Sequence, residues 1–251
     1  MTLRSDGIAA WLRNRASAAC ARGFILGMSG GIDSAVVARL CQKAMPGRVL
    51  GVIMPCHSLP GDELDAILAA ESSQLPIVRV DLSSAYDAIA LDIMPASVEA
   101  ARHGFATDPA RTKLAHANIK PRLRMTTLYT IGTAAGMLVT GTGNRSEITI
   151  GYYTKYGDGG VDLLPIGALV KREVYDLARE LGVPARIIDK APSAGLWAGQ
   201  TDEGEMGFTY DDLERFIESG AGSVAEETAA RIQRLIDASG HKRELPPVAP
   251  R

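Results

Sequence analysis

Gly27-Met28-Ser29-Gly30-Gly31-Ile32-Asp33-Ser34 carries the strongest chemical signal in the chain. Glycines at 30 and 31 permit a tight backbone turn, drawing several amide N–H groups together where a helix begins at Asp33. With the Ser29 and Ser34 hydroxyls as further donors, the loop reads as a cradle for a pyrophosphate. Asp33 would supply an oxygen ligand to a magnesium ion bridging phosphates. The loop is neither G-x-x-x-x-G-K-[ST], since no lysine follows, nor the G-x-G-x-x-G dinucleotide fingerprint. Out of context the same octapeptide would be a glycine-rich turn with a serine N-cap.

A second concentration of reactive residue types lies between Thr142 and Gly160, where periodicity gives way to glycine and polar residues. Such a stretch is poor core material and good site material. Glu147 stands just beyond a strand, where ligands bind in open α/β sheets; its plainer reading is a cap or a partner for Arg145. Lys171 opens a helix, where a positive charge opposes the dipole and a nearby triphosphate would offset that cost. Arg122, just after Pro121, and Lys155, inside the glycine-rich segment, are candidate anion donors. Asp162 reads equally as a turn cap, and His241-Lys242-Arg243 as a solvated run. Cys56-His57 suggests a nucleophile and base, but adjacent residues point in different directions and no orienting Asn or Asp is identifiable.

The elements that must position these residues alternate in type. Strands are predicted over Phe24–Met28, Val49–Met54, Ile77–Val80 and Met137–Thr140. Helices are predicted over Asp6–Ala19, Asp33–Gln42, Gly61–Ser72, Ser84–Ile93, Lys113–Gly136 with a break at Pro121, Val170–Leu181, Tyr210–Glu218 and Val224–Ala238. Nearly all-apolar strands separated by helices imply an α/β, Rossmann-like, three-layer fold with a mainly parallel sheet. Glycine and proline between Asp189 and Gly207 predict a long loop, either mobile or ordered by ligand.

A chain of 251 residues, 46% of them hydrophobic, can bury a substantial core without staples. No second-domain boundary is visible, so residues 1–251 read as a single domain with a helical tail over 209–251. The three cysteines, Cys20, Cys41 and Cys56, are odd in number and lack metal-ligand spacing, which fits a reducing cytoplasm. No apolar run reaches the ~18 residues of a membrane span, and a net charge of −2 argues against a nucleic-acid surface.

The phosphate loop resembles the SGGxDS loop of the N-type ATP pyrophosphatases, and other motifs choose among them. Asn118-Ile119-Lys120-Pro121-Arg122-Leu123-Arg124-Met125 is similar to the NxKxRxRM element of NAD synthetases. So, in order, are Gly141-Thr142-Gly143-Asn144-Arg145-Ser146-Glu147, the Gly151–Pro165 segment, Pro192-Ser193-Ala194-Gly195-Leu196 and His241-Lys242-Arg243. The chain thus resembles the ammonia-dependent NAD synthetases, with the adenine nucleotide alpha hydrolase-like fold that this implies. Carried over by motif, ATP would meet Gly27, Met28, Ser29, Gly30, Gly31, Ile32, Asp33, Ser34, Thr142, Lys171 and Ser193. Mg²⁺ would be held by Asp33 and Glu147, and the catalytic set would be Asp33, Glu147 and Lys171. Deamido-NAD would meet Arg122, Lys155, Asp162, His241 and Lys242. Many bacterial members carry His-Ala-Ala-Glu where this chain has Asn144-Arg145-Ser146-Glu147, so Glu147 alone is carried over from that element; Ser193 replaces a threonine.

The resemblance implies ATP-dependent amidation of deamido-NAD to NAD through an NAD-adenylate, releasing AMP and pyrophosphate, in a homodimer. The phosphate loop begins at Gly27, leaving no room before it for a large amidase domain, so free ammonia is the expected nitrogen donor unless a separate glutaminase subunit delivers it. A different ATP pyrophosphatase would keep the loop and change the acceptor. A nucleotide-binding module would need less than the paired carboxylates Asp33 and Glu147.

Overall fold

The computed structural model describes residues 4–105, 108–193, 195 and 200–250. The first half alternates α1 (Arg4–Ala18), β1 (Gly23–Gly27), α2 (Ile32–Ala44), β2 (Val49–Ile53), α3 (Pro60–Ser72) and β3 (Ile77–Arg79). There follow α4 (Ser83–Arg102), α5 (Pro109–Ala117), α6 (Ile119–Ala135) and β4 (Met137–Val139). The remainder holds α7 (Arg145–Ile150), α8 (Lys171–Glu180), α9 (Ala185–Ile188), α10 (Asp202–Met206), α11 (Tyr210–Ser219), α12 (Glu226–Ala238) and α13 (Gly240–Arg243).

The four strands pair in parallel in the order β3-β2-β1-β4, with Phe24 opposite Val49 and Leu138. Phe24, Ile25 and Leu26 are fully buried because β1 has a helical layer on each face. Successive side chains go to opposite faces: Phe24 and Leu26 join a core with Leu12, Val36, Leu40 and Leu177, while Ile25 joins Val52, Leu128 and Val139 on the other. Helix α6 comes close enough to the sheet that a Cβ on Gly132 would lie 2.9 Å from Ile25 Cγ2. A third cluster, Ile150, Met206, Phe208, Leu213 and Ile232, ties the C-terminal helices to α7.

From β1 the chain steps outward through β2 to β3, then returns to add β4 on the other side of β1. The order therefore reverses between β1 and β4, and the crevice at the carboxyl ends of these two strands is where an open α/β sheet presents a site. Both motif-rich segments, after Gly27 and after Val139, emerge there.

The expected α/β architecture holds, with local corrections. Beyond β4, Leu163 makes an isolated parallel bridge to Thr140. The segment 142–160 contains α7, capped by Asn144 and closed by Gly151 at φ 69°. The expected loop over 189–207 contains α10, which Thr201 caps and Gly207 ends at φ 79°; Ala194 and residues 196–199 of that loop lie outside the described residues. The expected long helix from Lys113 divides at Asn118, and Pro121 sits in the first turn of α6, where its missing N–H costs nothing. Helix α4 runs past Ile93 and through Pro95 to Arg102, and none of its residues is buried. Among the described residues no helix is long and apolar enough to cross a membrane.

Candidate active site

The loop after β1 is organised by its own side chains. Ser34 Oγ donates to the Gly31 carbonyl (2.9 Å), Ser29 Oγ donates to Ser34 Oγ (3.1 Å), and the Gly31 N–H donates to Ser29 Oγ (3.3 Å). Gly30 has φ 79°, and a Cβ there would stand 2.6 Å from the Asp62 carbonyl. Only glycine permits both that left-handed turn and the close approach of α3. The turn feeds directly into α2, whose first amides and dipole favour an anion at the loop.

Asp33, in the first turn of α2, faces two residues from the other side of the crevice. Lys171 Nζ donates to Asp33 Oδ2 at 2.5 Å and lies 3.6 Å from Glu147 Oε1. Asn144 Nδ2 donates to Asp33 Oδ1 at 3.1 Å. Asn144 is fully buried and also caps α7: its Oδ1 accepts from the Glu147 N–H (3.1 Å), while Glu147 Oε2 accepts from the Asn144 N–H (3.3 Å). This reciprocal box fixes Glu147 relative to Asp33. The Lys171 N–H donates to Ser146 Oγ (3.1 Å), and its ammonium lies 5.3 Å from the Tyr210 ring centroid. Tyr210 in turn donates to Asp202 Oδ2 at 2.8 Å.

The side chain of Lys171 is 3% exposed. Burial alone would lower its pKa; the carboxylates of Asp33 and Glu147 more than offset this and hold the ammonium above its ordinary value. Glu147 goes the opposite way for a carboxyl. Burial, then repulsion from Asp33, pushes it up to about 8 against the pull of Lys171. The distances explain the asymmetry, since Lys171 serves Asp33 first and leaves Glu147 incompletely compensated.

These groups open onto a cleft of about 810 Å³ lined by Gly27, Met28, Ser29, Gly31, Ile32, Asp33, Thr142, Glu147, Lys171 and Ser193. Gly30 and Ser34 shape the loop from behind. The residues assigned to deamido-NAD are treated differently. Lys242 lines the cleft, but its Nζ donates to the Gly151 (2.7 Å) and Tyr153 (2.6 Å) carbonyls. Lys155 Nζ donates to the His241 carbonyl, and the His241 side chain is exposed. Asp162 accepts from the Val139 N–H (2.8 Å) and the Tyr129 hydroxyl (3.0 Å). Arg122 is exposed and does not line the cleft.

Cys56 and His57 form no dyad. Burial raises the Cys56 thiol pKa, and its Sγ donates to the Leu82 carbonyl, while His57 turns to Asp87 (2.8 Å). Asn144, Ser146 and Tyr210 are the site residues that reading the sequence missed. The Asn144-x-x-Glu147 spacing is a capping-box signal for Asn144; nothing local marks Ser146, which accepts from the distant Lys171 N–H, or Tyr210, which arrives from the C-terminal helices.

A glycine-rich loop at the switch point of a parallel sheet, facing two carboxylates and a buried lysine, defines a nucleotide-binding α/β enzyme of the Rossmann-like class. A model of the NAD synthase family matches residues 5–246. The NH(3)-dependent NAD(+) synthetase of Carboxydothermus hydrogenoformans is 50% identical over 98% of this chain and 96% of its own. The structure of NMN synthetase from Francisella tularensis superposes with a TM-score of 0.85 at 36% identity, covering 98% of this chain and 96% of that one. An NH3-dependent NAD synthetase from Campylobacter jejuni gives 0.76 at 26% identity, covering 98% and 97%. The chain belongs to the NAD synthase family and is a ligase of the NAD+ synthetase type.

Proposed function

We propose that the chain amidates the nicotinate carboxylate of deamido-NAD with free ammonia, using ATP through an acyl-adenylate. The observation that carries this reading is the convergence of Asp33, Glu147 and Lys171 beside a phosphate loop. No side-chain nucleophile is needed. The substrate carboxylate oxygen forms a bond to the α-phosphorus as the bond to pyrophosphate breaks. Ammonia then forms the C–N bond of the amide as the acyl C–O bond breaks, and AMP departs with that oxygen while the nitrogen gives up one proton to solvent.

Among the described residues no cluster of three or more His, Cys, Asp or Glu could hold a metal by itself. Mg²⁺ asks for less, because one or two carboxylates with phosphate oxygens and water complete its octahedron. Asp33 and Glu147 already converge on one ammonium, so the pair fits a cation. When bound, Mg²⁺ would neutralise charge gathering on the phosphates. The loop amides and serine hydroxyls orient the leaving pyrophosphate, and Lys171 stabilises the charge on the reacting phosphate.

The test is to incubate the protein with ATP, Mg²⁺ and deamido-NAD, with ammonium or glutamine in parallel, and to quantify NAD, AMP and pyrophosphate. Equal amounts of all three with ammonium, and little with glutamine, are expected; AMP and pyrophosphate without NAD would refute the acceptor. A second reading shortens the acceptor to nicotinate mononucleotide. It is favoured by the fit to the Francisella NMN synthetase and by Lys155 and Lys242 spending donors on backbone carbonyls. Running both acids separates the two by their relative kcat/KM.

A second copy of the chain is the partner we propose. Leu91 (72%), Met94 (56%), Val98 (56%) and Phe105 (72%) are exposed on and after α4, and the edge strand β3 is exposed as well. An apolar face of this kind calls for cover. Sedimentation equilibrium is expected to return the mass of two chains, and Leu91→Glu to shift it toward one.

A further inference from the structure

The arginine-rich motif on α6 presents two guanidinium groups, and the fold separates them. Residues two apart on a helix face nearly opposite ways. Arg122 is exposed, whereas Arg124 lines the cleft. Arg124 Nε donates to the Met54 carbonyl (3.2 Å), at the carboxyl end of β2, and one of its terminal nitrogens approaches Ser58 Oγ (3.4 Å). These contacts engage two of its five donors.

Among the described residues, no carboxylate lies within ion-pairing distance of Arg124. The two carboxylates that act on it through space have other work: Asp62 is paired with Lys190 (2.8 Å), and Asp158 accepts from the Thr154 N–H (2.9 Å). One turn earlier Lys120 brings a second buried cation to the same corner, 5.7 Å from the Tyr86 ring centroid. Of the other cations in the cleft wall, Lys171 is answered by Asp33 and Lys190 by Asp62 and Asp65, while Lys242 is taken up by the Gly151 and Tyr153 carbonyls. A guanidinium in a cleft wall without a counter-charge is costly in the empty protein and suits an incoming anion.

We infer that Arg124 is an anion-binding residue that receives a phosphate oxygen of a bound nucleotide at the carboxyl end of β2. The assignment rests on the nucleotide chemistry proposed above and adds a contact beyond those carried over by motif. The phosphate belongs to ATP or to the acid nucleotide, and binding measurements distinguish the two.

The experiment uses the full chain as wild type, Arg124→Met and Arg124→Gln. Each is titrated calorimetrically with Mg²⁺ and α,β-methylene-ATP, and separately with deamido-NAD, and the melting transition of each ligand-free protein is recorded. Loss of one charge-assisted contact is expected to weaken one nucleotide on the order of 10- to 100-fold. Weakened α,β-methylene-ATP assigns the phosphate to ATP; weakened deamido-NAD assigns it to the acid nucleotide. In at least one variant the ligand-free melting transition should be unchanged or higher, because an uncompensated charge has been removed. Unaltered affinity for both nucleotides would overturn the inference, as would affinity that falls only together with a lowered melting transition in both variants. If wild type bound neither nucleotide, the functional reading itself would fail and this assignment with it.

Discussion

Lys171→Met is expected to lower the rate of ATP- and deamido-NAD-dependent pyrophosphate release by about 100- to 1000-fold, with a smaller change in KM for ATP. The magnitude is that of removing one preorganised charge or donor from a developing oxyanion. The buried ammonium, held 2.5 Å from Asp33 and charged throughout the physiological range, needs no reorganisation when charge builds on the phosphate. The variant should also lose stability, because Asp33 and Glu147 then face each other without the cation between them. Adding Asp33→Asn should recover the stability and none of the activity. That non-additive pattern distinguishes a catalytic charge from a structural strut. Unchanged turnover in Lys171→Met would remove the lysine from the mechanism.

Glu147→Gln should separate function from stability in the opposite direction. Its turnover is expected to fall on the order of 100-fold or more, since one of the two carboxylates proposed to hold Mg²⁺ is lost. The ligand-free protein should nevertheless melt at a higher temperature in alkaline buffer. The sign follows from the Glu147 pKa, pushed up to about 8 by burial and by Asp33. Below the ordinary carboxyl value both folded and unfolded chains carry the proton, and the residue makes no difference. As pH rises the unfolded chain releases the proton first, so wild type loses stability progressively until the folded pKa is passed. Glutamine removes this penalty while keeping an oxygen for the Asn144 N–H. A gain of ~1 kcal/mol would raise the midpoint by about 2–4 °C in a chain of this size. Melting curves from pH 4 to 9 check it; a glutamine variant less stable than wild type at pH 9 would refute the electrostatic account.

The two variants show how the site is built. Asp33 and Glu147 are held together before any ligand arrives, by one lysine and by the cap of a short helix. Part of the cost of assembling like charges is therefore already met in the folded chain, and substitutions that relieve it should cost turnover.

Much of this was legible in the chain. The octapeptide from Gly27 to Ser34 marked a tight turn opening a helix because glycine's backbone freedom and the helix start beside it are local properties, and the structure places Gly30 at φ 79° there. The run of strands and helices through β3 was legible for the same reason: buried parallel strands are apolar on both faces, and their helices repeat at a different period. Where evidence was weak locally, reading faltered. Helix α7 hid within a glycine-rich stretch although its Asn144-x-x-Glu147 box was present.

The sequence by itself determined the loop, the parallel sheet and the chemical types gathered for the site, because turn geometry, periodicity and residue chemistry act over a few neighbours. Only the tertiary structure decided that Lys171 contacts Asp33 from 138 residues away. It also showed that Asn144 joins cap to carboxylate, that Arg124 rather than Arg122 turns into the cleft, and that Lys155 and Lys242 bind backbone carbonyls. Those outcomes depend on which faces of distant helices meet at the switch point between β1 and β4, and on which charges burial leaves without a partner. Neither is a property of any local stretch of residues.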